Sequence, residues 1–395
     1  MMRMVRTTLG MLLVGLGTVA MTVPGSASES SGPVKSVAPG TRLDHKQGNA
    51  DEKAKLIWFD AKLLPMEGRI WSDVAAPYDR FPARAEKLVP PAVWGLSRQS
   101  AGLAYRFVTD APTIHAKWTL TGTNLAMPHM PATGVSGLDL YVKTESGRWQ
   151  WLGVGQPRAK SNQQALVSGL PKGKREFLLY LPLYNGVESL SLGVPASASL
   201  EAAPTRAAES AKPLVFYGTS ITQGGCASRP GMVHTAILGR KLNRPVINLG
   251  FSGNGRMDSG VVELLSEIDA AVFIIDCLPN MNAEQVSERT IPLVQMLRKK
   301  RPNTPILLVE DRSYTNSTVL SGPRERNRSS RQALQRAYAQ LQADKVPGIS
   351  YLEGETLLGD DGEGTVDSSH PTDLGFMRQA DVMAKVLEPL LKSGK

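Results

Sequence analysis

Leu214-Val215-Phe216-Tyr217-Gly218-Thr219-Ser220-Ile221-Thr222-Gln223-Gly224-Gly225 joins an apolar run of strand type to a Gly-Thr-Ser triplet. A glycine pair follows before the next helix-like segment. This is the form of a turn that delivers a serine to the carboxyl edge of a sheet, with small neighbours that let a substrate approach its hydroxyl. Most Gly-x-Ser triplets are ordinary turns, so the triplet alone decides nothing. Asp367-Ser368-Ser369-His370-Pro371, near the far end of the chain, adds an acid and a base three residues apart.

Working outward from Ser220, the second half has the rhythm strand, helix, strand. Strands are expected at 214–217, 246–249, 271–276, 306–310 and 349–352, and helices at 232–242, 258–268, 283–300, about 325–343 and 371–391. Apolar runs alternating with helices imply a parallel sheet covered on both faces. Sites in such sheets lie outside the carboxyl ends of the strands. Ser220 falls there after the first strand. The glycine-rich turn Asn248-Leu249-Gly250-Phe251-Ser252-Gly253-Asn254-Gly255 follows the second, and Asn280 follows the third. Asp367 and His370 follow the fifth, before a helix that Pro371 can open, since proline suits the first helical position.

The first half reads differently. Leu103, Tyr105 and Phe107 alternate with other residues, as do Ile114, Ala116, Trp118 and Leu120, with Asp110-Ala111-Pro112 as the turn between them. Period two in short, frequent segments indicates an antiparallel β-sandwich of jelly-roll type over 51–195. Its tryptophans and tyrosines have two readings, core packing and a sugar-binding platform, and packing is the commoner use. Residues 196–212, mostly Ala, Ser, Pro and Glu, read as a linker to the second domain at 213–395.

At the start, Arg3 and Arg6 precede an apolar stretch at 9–23, and Gly25-Ser26-Ala27 offers a small-residue cleavage site. Residues 1–27 are therefore expected to be a signal peptide, which makes the protein periplasmic or extracellular. The stretch is too short and weak for a membrane anchor, so no stable membrane insertion is expected after cleavage. Residues 28–50 read as a disordered leader. The chain has 395 residues, 42% hydrophobic and 21% charged, the range of an ordinary globular protein of two domains. A net charge of +9 is spread along the chain without basic-aromatic interleaving, so no nucleic-acid partner is expected. The oligomeric state is not legible.

Ser220, Gly253, Asn280 and His370, in that order and with Asp367 three before the histidine, resemble the SGNH hydrolases, or GDSL esterase superfamily. Gly137-Leu138-Asp139-Leu140-Tyr141 resembles the Gly-x-Asp-Leu-Tyr signature of a β-sandwich that precedes the catalytic domain in one subgroup. The resemblance implies a flavodoxin-like three-layer α/β/α domain. It also implies a triad of Ser220, His370 and Asp367, and an oxyanion hole of the Ser220 and Gly253 N–H groups with the Asn280 amide. Three positions depart from the wider pattern. Thr219 stands where the name-giving Asp usually does, and Leu278 and Met281 replace a Gly and an Asp around Asn280.

A serine hydroxyl needs an adjacent base to attack at neutral pH. The expected function is an exported serine esterase that removes short acyl groups, acetyl first among them, from a carbohydrate. Two alternatives stand beside it: an acyltransferase with the same triad, and a non-catalytic carbohydrate-binding protein in which His370 is structural. No cofactor is expected. No His-Glu or Cys-His ligand spacing points to a metal, and Met127-Pro128-His129-Met130-Pro131 is a poor copper site with one histidine. That loop is expected to border the cleft, with the sandwich packed on the second domain. His234 reads as structural. Glu310 and Asp311 end the fourth strand at the active edge. Arg324, Arg326 and Arg328 open a helix where the dipole disfavours them, which allows a role towards an anionic substrate. Cys226 and Cys277, the only cysteines, follow strands one and three, neighbours in a flavodoxin-like sheet. They are open to two readings, a disulfide or two separate buried thiols.

Overall fold

The alternation of the first half builds two antiparallel sheets. In the computed structural model, which describes residues 35–393, the first sheet has the order β1-β2-β10-β5-β8. Its strands are β1 (Asn49–Asp51), β2 (Leu56–Asp60), β5 (Thr113–Leu120), β8 (Ser161–Ser168) and β10 (Val187–Pro195). The second sheet runs β11-β4-β9-β6-β7, with β3 (Met66–Glu67) paired to β4. Its strands are β4 (Ala104–Thr109), β6 (Leu138–Lys143), β7 (Trp149–Gly155), β9 (Arg175–Tyr180) and β11 (Leu200–Ala202). Tyr105, Phe107, Ile114, Ala116, Trp118, Leu179 and Leu192 point between the sheets and form one core. The expected signal peptide lies outside the described residues.

Two expectations at the edges of this domain need correction. Residues 35–50 are not a free leader. Leu43 is buried, its N–H donates to Leu200 O at 2.9 Å, and β1 pairs with β2. One leucine and an Asp44 capping box over His45–Gln47, both inside a polar stretch, anchor the segment. The linker is also shorter than read, because β11 pairs with β4 at Ala202↔Phe107. A composition of mostly small residues hid a strand in which two of three side chains are buried.

The second half forms a five-stranded parallel sheet, β13-β12-β14-β15-β16. Its strands are β12 (Leu214–Gly218), β13 (Val246–Gly250), β14 (Val272–Asp276), β15 (Ile306–Val309) and β16 (Ile349–Leu352). With β12 first in sequence, this is the flavodoxin-like order 2-1-3-4-5. Among the described residues the α-helices are α1 (Pro91–Ser97) and α2 (Ala132–Val135) in the first half, α3 (Ala208–Ala211) before β12, and then α4 (Ser220–Gln223), α5 (His234–Lys241), α6 (Ser259–Ser266), α7 (Ala283–Lys300), α8 (Ser321–Ala343) and α9 (Asp373–Ser393). Val215 and Tyr217 face α6 and α7, whereas Leu214 and Phe216 face α5 and α9, so every side chain of β12 is buried. Continuous apolarity is what a strand covered on both faces requires. Pro371 does not open α9. It bridges to Thr365, and the helix starts at Asp373.

The two halves share a core. Ala104, Tyr141, Leu178 and Tyr180 leave the outer face of the sandwich and pack with Val233, Ile237, Phe216 and Phe376. At the seam lies Asp139, fully buried. Its Oδ2 accepts from Gly231 N at 2.7 Å and Arg229 Nη1 at 2.8 Å, and its Oδ1 accepts from Trp151 Nε1 at 2.9 Å. Burial pushes its carboxyl up from the ordinary value, against the pull of Arg229. Arg229 is held by rings on two sides, 5.0 Å from the Trp151 centroid and 5.5 Å from Tyr141. Asp139→Ala leaves the Arg229 charge and two N–H donors without their partner. It is expected to lower stability by about 3 kcal/mol, since breaking a buried pair costs about 3–5 kcal/mol and Arg229 is partly solvated. Urea unfolding followed by tryptophan fluorescence measures this, and an unshifted midpoint contradicts it.

Candidate active site

Ser220 is the first residue of α4, directly after β12, and its position follows from close backbone approaches. A Cβ on Gly218 would stand 2.1 Å from Thr222 Oγ1 and 2.7 Å from Asp276 O, so only glycine lets the strand end turn here. Thr219 caps the turn, its Oγ1 accepting from Ile221 N at 3.3 Å. The departure at Thr219 therefore keeps an N-cap oxygen where the family has a carboxylate. Two further bonds lock the turn. Tyr184 OH donates to Ser220 O at 3.1 Å, and Gln223 Oε1 accepts from Ser252 N at 3.0 Å. From below, Thr222 Oγ1 donates to Asp276 Oδ2 at 3.3 Å, and Arg312 Nη2 donates to the same oxygen at 2.5 Å. Gln223 lies within the nucleophile stretch, though nothing in the sequence marks its role, and Tyr184 lies in the other domain with no motif around it.

Ser220, His370 and Asp367 form one hydrogen-bonded row. Ser220 Oγ lies 2.7 Å from His370 Nε2, and His370 Nδ1 lies 2.7 Å from Asp367 Oδ2. Asp367 Oδ1 also accepts from His370 N at 2.8 Å and Ser369 N at 3.1 Å, which closes the loop on itself with Ser368 at φ +75°. Burial raises the Asp367 carboxyl, but the bonds from His370 and Ser369 outweigh it and hold the group below the usual carboxylate value. The aspartate thus stays ionised at neutral pH beside the imidazole. Such a row lets an imidazole take a hydroxyl proton and an acid orient the imidazole.

The resemblance assigns three amide donors to the carbonyl oxygen, and each has a definite local setting. The Ser220 N–H opens α4 and has no intrahelical acceptor. Gly253 sits at φ +69° with open space where a Cβ would be, and among the described residues its N–H has no protein acceptor. Asn280 closes a short helical turn at Leu278–Asn280, and its Oδ1 accepts from Gly255 N at 3.1 Å. That bond fixes the amide so that Nδ2 is the end left to donate. Leu278 and Met281 are both fully buried in the α6–α7 core, which accounts for those departures. Met127–Pro131 does reach the site from the sandwich, and the His129 ring lies 6.2 Å from that of His370.

Other candidates go elsewhere. His234 is stacked on Phe376 at 5.7 Å and fully buried, so burial holds it well below its ordinary value, with Arg312 adding to the effect. Arg324 donates to Ser317 O and Thr318 O, and Arg328 pairs with Glu325. Arg326 is the arginine at the site: its Nη2 donates to Pro279 O at 2.7 Å and its Nε to Tyr314 OH at 3.0 Å. Among the described residues no three of His, Cys, Asp or Glu come together as metal ligands.

The disulfide reading is corrected, since both cysteines are free and buried. Cys277 Sγ turns inward to Tyr217 O at 3.5 Å, within the α6–α7 core. Cys226, at φ +73° beyond the nucleophile turn, neighbours Asp367, and burial pushes its thiol up to about 12. Adjacent strands brought the two to one edge, but the side chains take different environments. Thiol titration of the denatured, unreduced protein is expected to find two thiols per chain.

Asp311, behind this edge, gives a pH prediction. Full burial raises its carboxyl to about 6, and its Oδ2 is 3.3 Å from the Asn327 amide. The folded state keeps this proton to a higher pH than the unfolded chain, whose aspartate releases it near ~4. The contribution is therefore fully present below ~4 and is lost as pH rises through about 6. Asp311→Asn is expected to flatten the fall in stability between pH 4 and 7, by an amount on the order of 2 kcal/mol. Parallel urea curves for variant and wild type across that range would contradict it.

Comparison with known proteins agrees with this architecture. The profile of the GDSL-like lipase/acylhydrolase family matches residues 211–388, and that of the GxDLY N-terminus of SGNH-type esterases matches residues 56–200. No curated protein matches the chain. Among solved structures, a GDSL-like lipase from Bacteroides ovatus is 35% identical with TM-score 0.80, over 85% of this chain and 98% of that one. The salicylyl-acyltransferase SsfX3 of a tetracycline biosynthetic pathway has TM-score 0.66 at 19% identity, over 87% and 97%. A family two carbohydrate esterase from Clostridium thermocellum, in complex with cellohexaose, has TM-score 0.54 at 14% identity, over 74% and 95%. Fold and site together define an SGNH-type α/β/α domain behind a β-sandwich. The chain belongs to the GDSL-like lipase/acylhydrolase family.

Proposed function

We propose that this protein is an exported serine esterase that removes short acyl groups, acetyl in particular, from a carbohydrate. The observation that carries the reading is the row from Ser220 Oγ through His370 to Asp367, each step 2.7 Å. His370 Nε2 takes the Ser220 proton as Oγ attacks the ester carbonyl. The negative charge on the carbonyl oxygen is met by the Ser220 and Gly253 N–H groups and Asn280 Nδ2. His370 then gives its proton to the leaving sugar hydroxyl, and Asp367 stabilises the imidazolium between the two transfers. Water repeats the sequence to release the acid. The acid and base of the row are open to solvent, with the Asp367 side chain 45% and that of His370 26% exposed, while Ser220 is buried at its end. A bulky polymeric substrate suits such a site better than one that must be engulfed. Export rests on the sequence at 1–27, and the carbohydrate class is supported by the fold shared with the carbohydrate esterase.

The fold shared with the acyltransferase keeps a second reading, in which an acceptor hydroxyl takes the place of water. Partition of the acyl group between water and added sugars separates the two.

Ser220→Ala and His370→Ala are expected to abolish hydrolysis of p-nitrophenyl acetate with the fold intact. Asp367→Asn lowers it less completely, because the donors around the carbonyl oxygen remain. Replacing Asn280 by Ala costs ~100- to 1000-fold in kcat, the usual loss for one such donor. A fluorophosphonate should label wild type at Ser220 and leave Ser220→Ala unlabelled. Near-wild-type turnover by Ser220→Ala would overturn the esterase reading.

A further inference from the structure

Behind the loop that carries Asp367 and His370 lies a cleft of about 900 Å³, between the start of α8, the segment at 313–318 and the segment at 355–364. Its volume is in the range of ligand sites, ~300–1,000 Å³. It shares a wall with the active-site loop: Thr315 N donates to Ser368 O at 3.1 Å, and Thr315 Oγ1 meets Thr365 Oγ1 at 3.1 Å. Tyr314, which also lines the cleft, holds Arg326 against Pro279, next to Asn280. The cleft and the Ser220 site are therefore separated by one layer of chain.

The chemistry of the lining selects a class of ligand. Three arginines, Arg324, Arg328 and Arg331, are balanced by Glu355, Asp360 and Asp361. The arginines are already engaged: Arg324 with Ser317 O and Thr318 O, Arg328 with Glu325, and Arg331 with Asp311 O at 2.8 Å. An anionic ligand would find no uncommitted cation excess here, and a lipid chain would find only Leu358 and the Tyr314 ring as apolar or aromatic side chains. What remains is a set of groups that both donate and accept, the hydroxyls of Ser317 and Thr318 and the amide of Gln332, beside the Glu355 carboxylate. Neutral polyhydroxylated ligands match such a lining.

We propose that this cleft is a subsite for a neutral oligosaccharide, which holds one part of the glycan while an acyl group farther along the same chain reaches Ser220. The proposal deepens the esterase reading and rests on it for the link to turnover, but binding in the cleft is testable without turnover. Gln332 and Glu355 are both exposed, so their replacement leaves the core intact.

The first measurement is calorimetric titration of Ser220→Ala with β-1,4-linked gluco-, manno- and xylo-hexaose. At least one is expected to bind, and adding Gln332→Trp, which narrows the cleft, or Gln332→Ala with Glu355→Ala is expected to raise its Kd about tenfold. The second is the ratio of kcat/KM for the partly acetylated hexaose to kcat/KM for p-nitrophenyl acetate. It should fall about tenfold in the Gln332→Trp protein through KM, as expected for lost binding that is the same in ground and transition states. No binding of any hexaose at millimolar concentration, or an unchanged Kd with an unchanged ratio, overturns the subsite. If wild type hydrolyses neither ester while hexaose binding is present and is lost with Gln332→Trp, the subsite stands and the esterase reading falls.

Discussion

A buried carboxylate, Asp139, ties the two halves of this protein together beside the nucleophile turn. It accepts bonds from the backbone of Gly231, the guanidinium of Arg229 and the indole of Trp151. The segment it grips, 228–231, follows the nucleophile turn in sequence. Ser228 N donates to Asp373 Oδ1 at 2.9 Å, at the start of the helix behind His370, and Thr133 Oγ1 reaches Ser228 O from the sandwich at 2.6 Å. One stretch of chain is thus pinned by the sandwich, by the helix after the base and by the nucleophile turn. A buried ion pair adds little net stability over a well-packed apolar substitute. Its directional bonds fix registry, which packing of Tyr141 and Tyr180 on α5 would leave free to slide. The Gly-x-Asp-Leu-Tyr signature is, on this account, a docking device whose Asp and Tyr face the second domain.

The site itself is assembled from loops with unequal support. The Ser220 turn is locked by Gly218, Thr219, Thr222 and Gln223, almost all of it buried. The Asp367–His370 loop is more exposed and stays in shape by bonding to itself, with two backbone N–H groups on Asp367 Oδ1. Tyr184 and His129 approach from the sandwich, so the first domain shapes the rim around the row. Removing the sandwich would therefore disturb both the turn and its surroundings, even though every residue of the row belongs to the second domain.

How much of this was legible depended on how local the cause was. The parallel sheet and its helices follow from apolar runs bounded by glycine and proline, and each strand expected in the second half is present. The site residues are legible because strand ends in a doubly wound sheet meet at one edge, so motifs far apart in sequence share a place. What was missed is long-range or carried by few residues. Leu43 sits in a polar stretch and the short strand at Leu200–Ala202 in one of mostly small residues, where one or two apolar side chains do the anchoring. The free thiols were undecided because strand adjacency says which edge a cysteine occupies but not where its side chain points. Tyr184 carries no sequence signal, and the contacts through which Gln223 and Arg326 act join segments that no spacing rule connects.

The departures from the wider family pattern are informative about what such a site requires. Thr219 replaces a carboxylate but still presents an oxygen to Ile221 N, so the capping function is kept with one charge fewer beside Ser220. Removing that charge also removes a repulsion for the oxyanion that forms near the same turn. Leu278 and Met281 flank Asn280 and sink into the core between α6 and α7, where a Gly and an Asp would leave space or an unpaired charge. Asn280 is then anchored twice, by apolar neighbours from beneath and by Gly255 N on its Oδ1. A polar neighbour could position the amide through a further hydrogen bond, and burial of two large side chains achieves the same through packing. The constraint is on where Nδ2 points, and the chain meets it by different means.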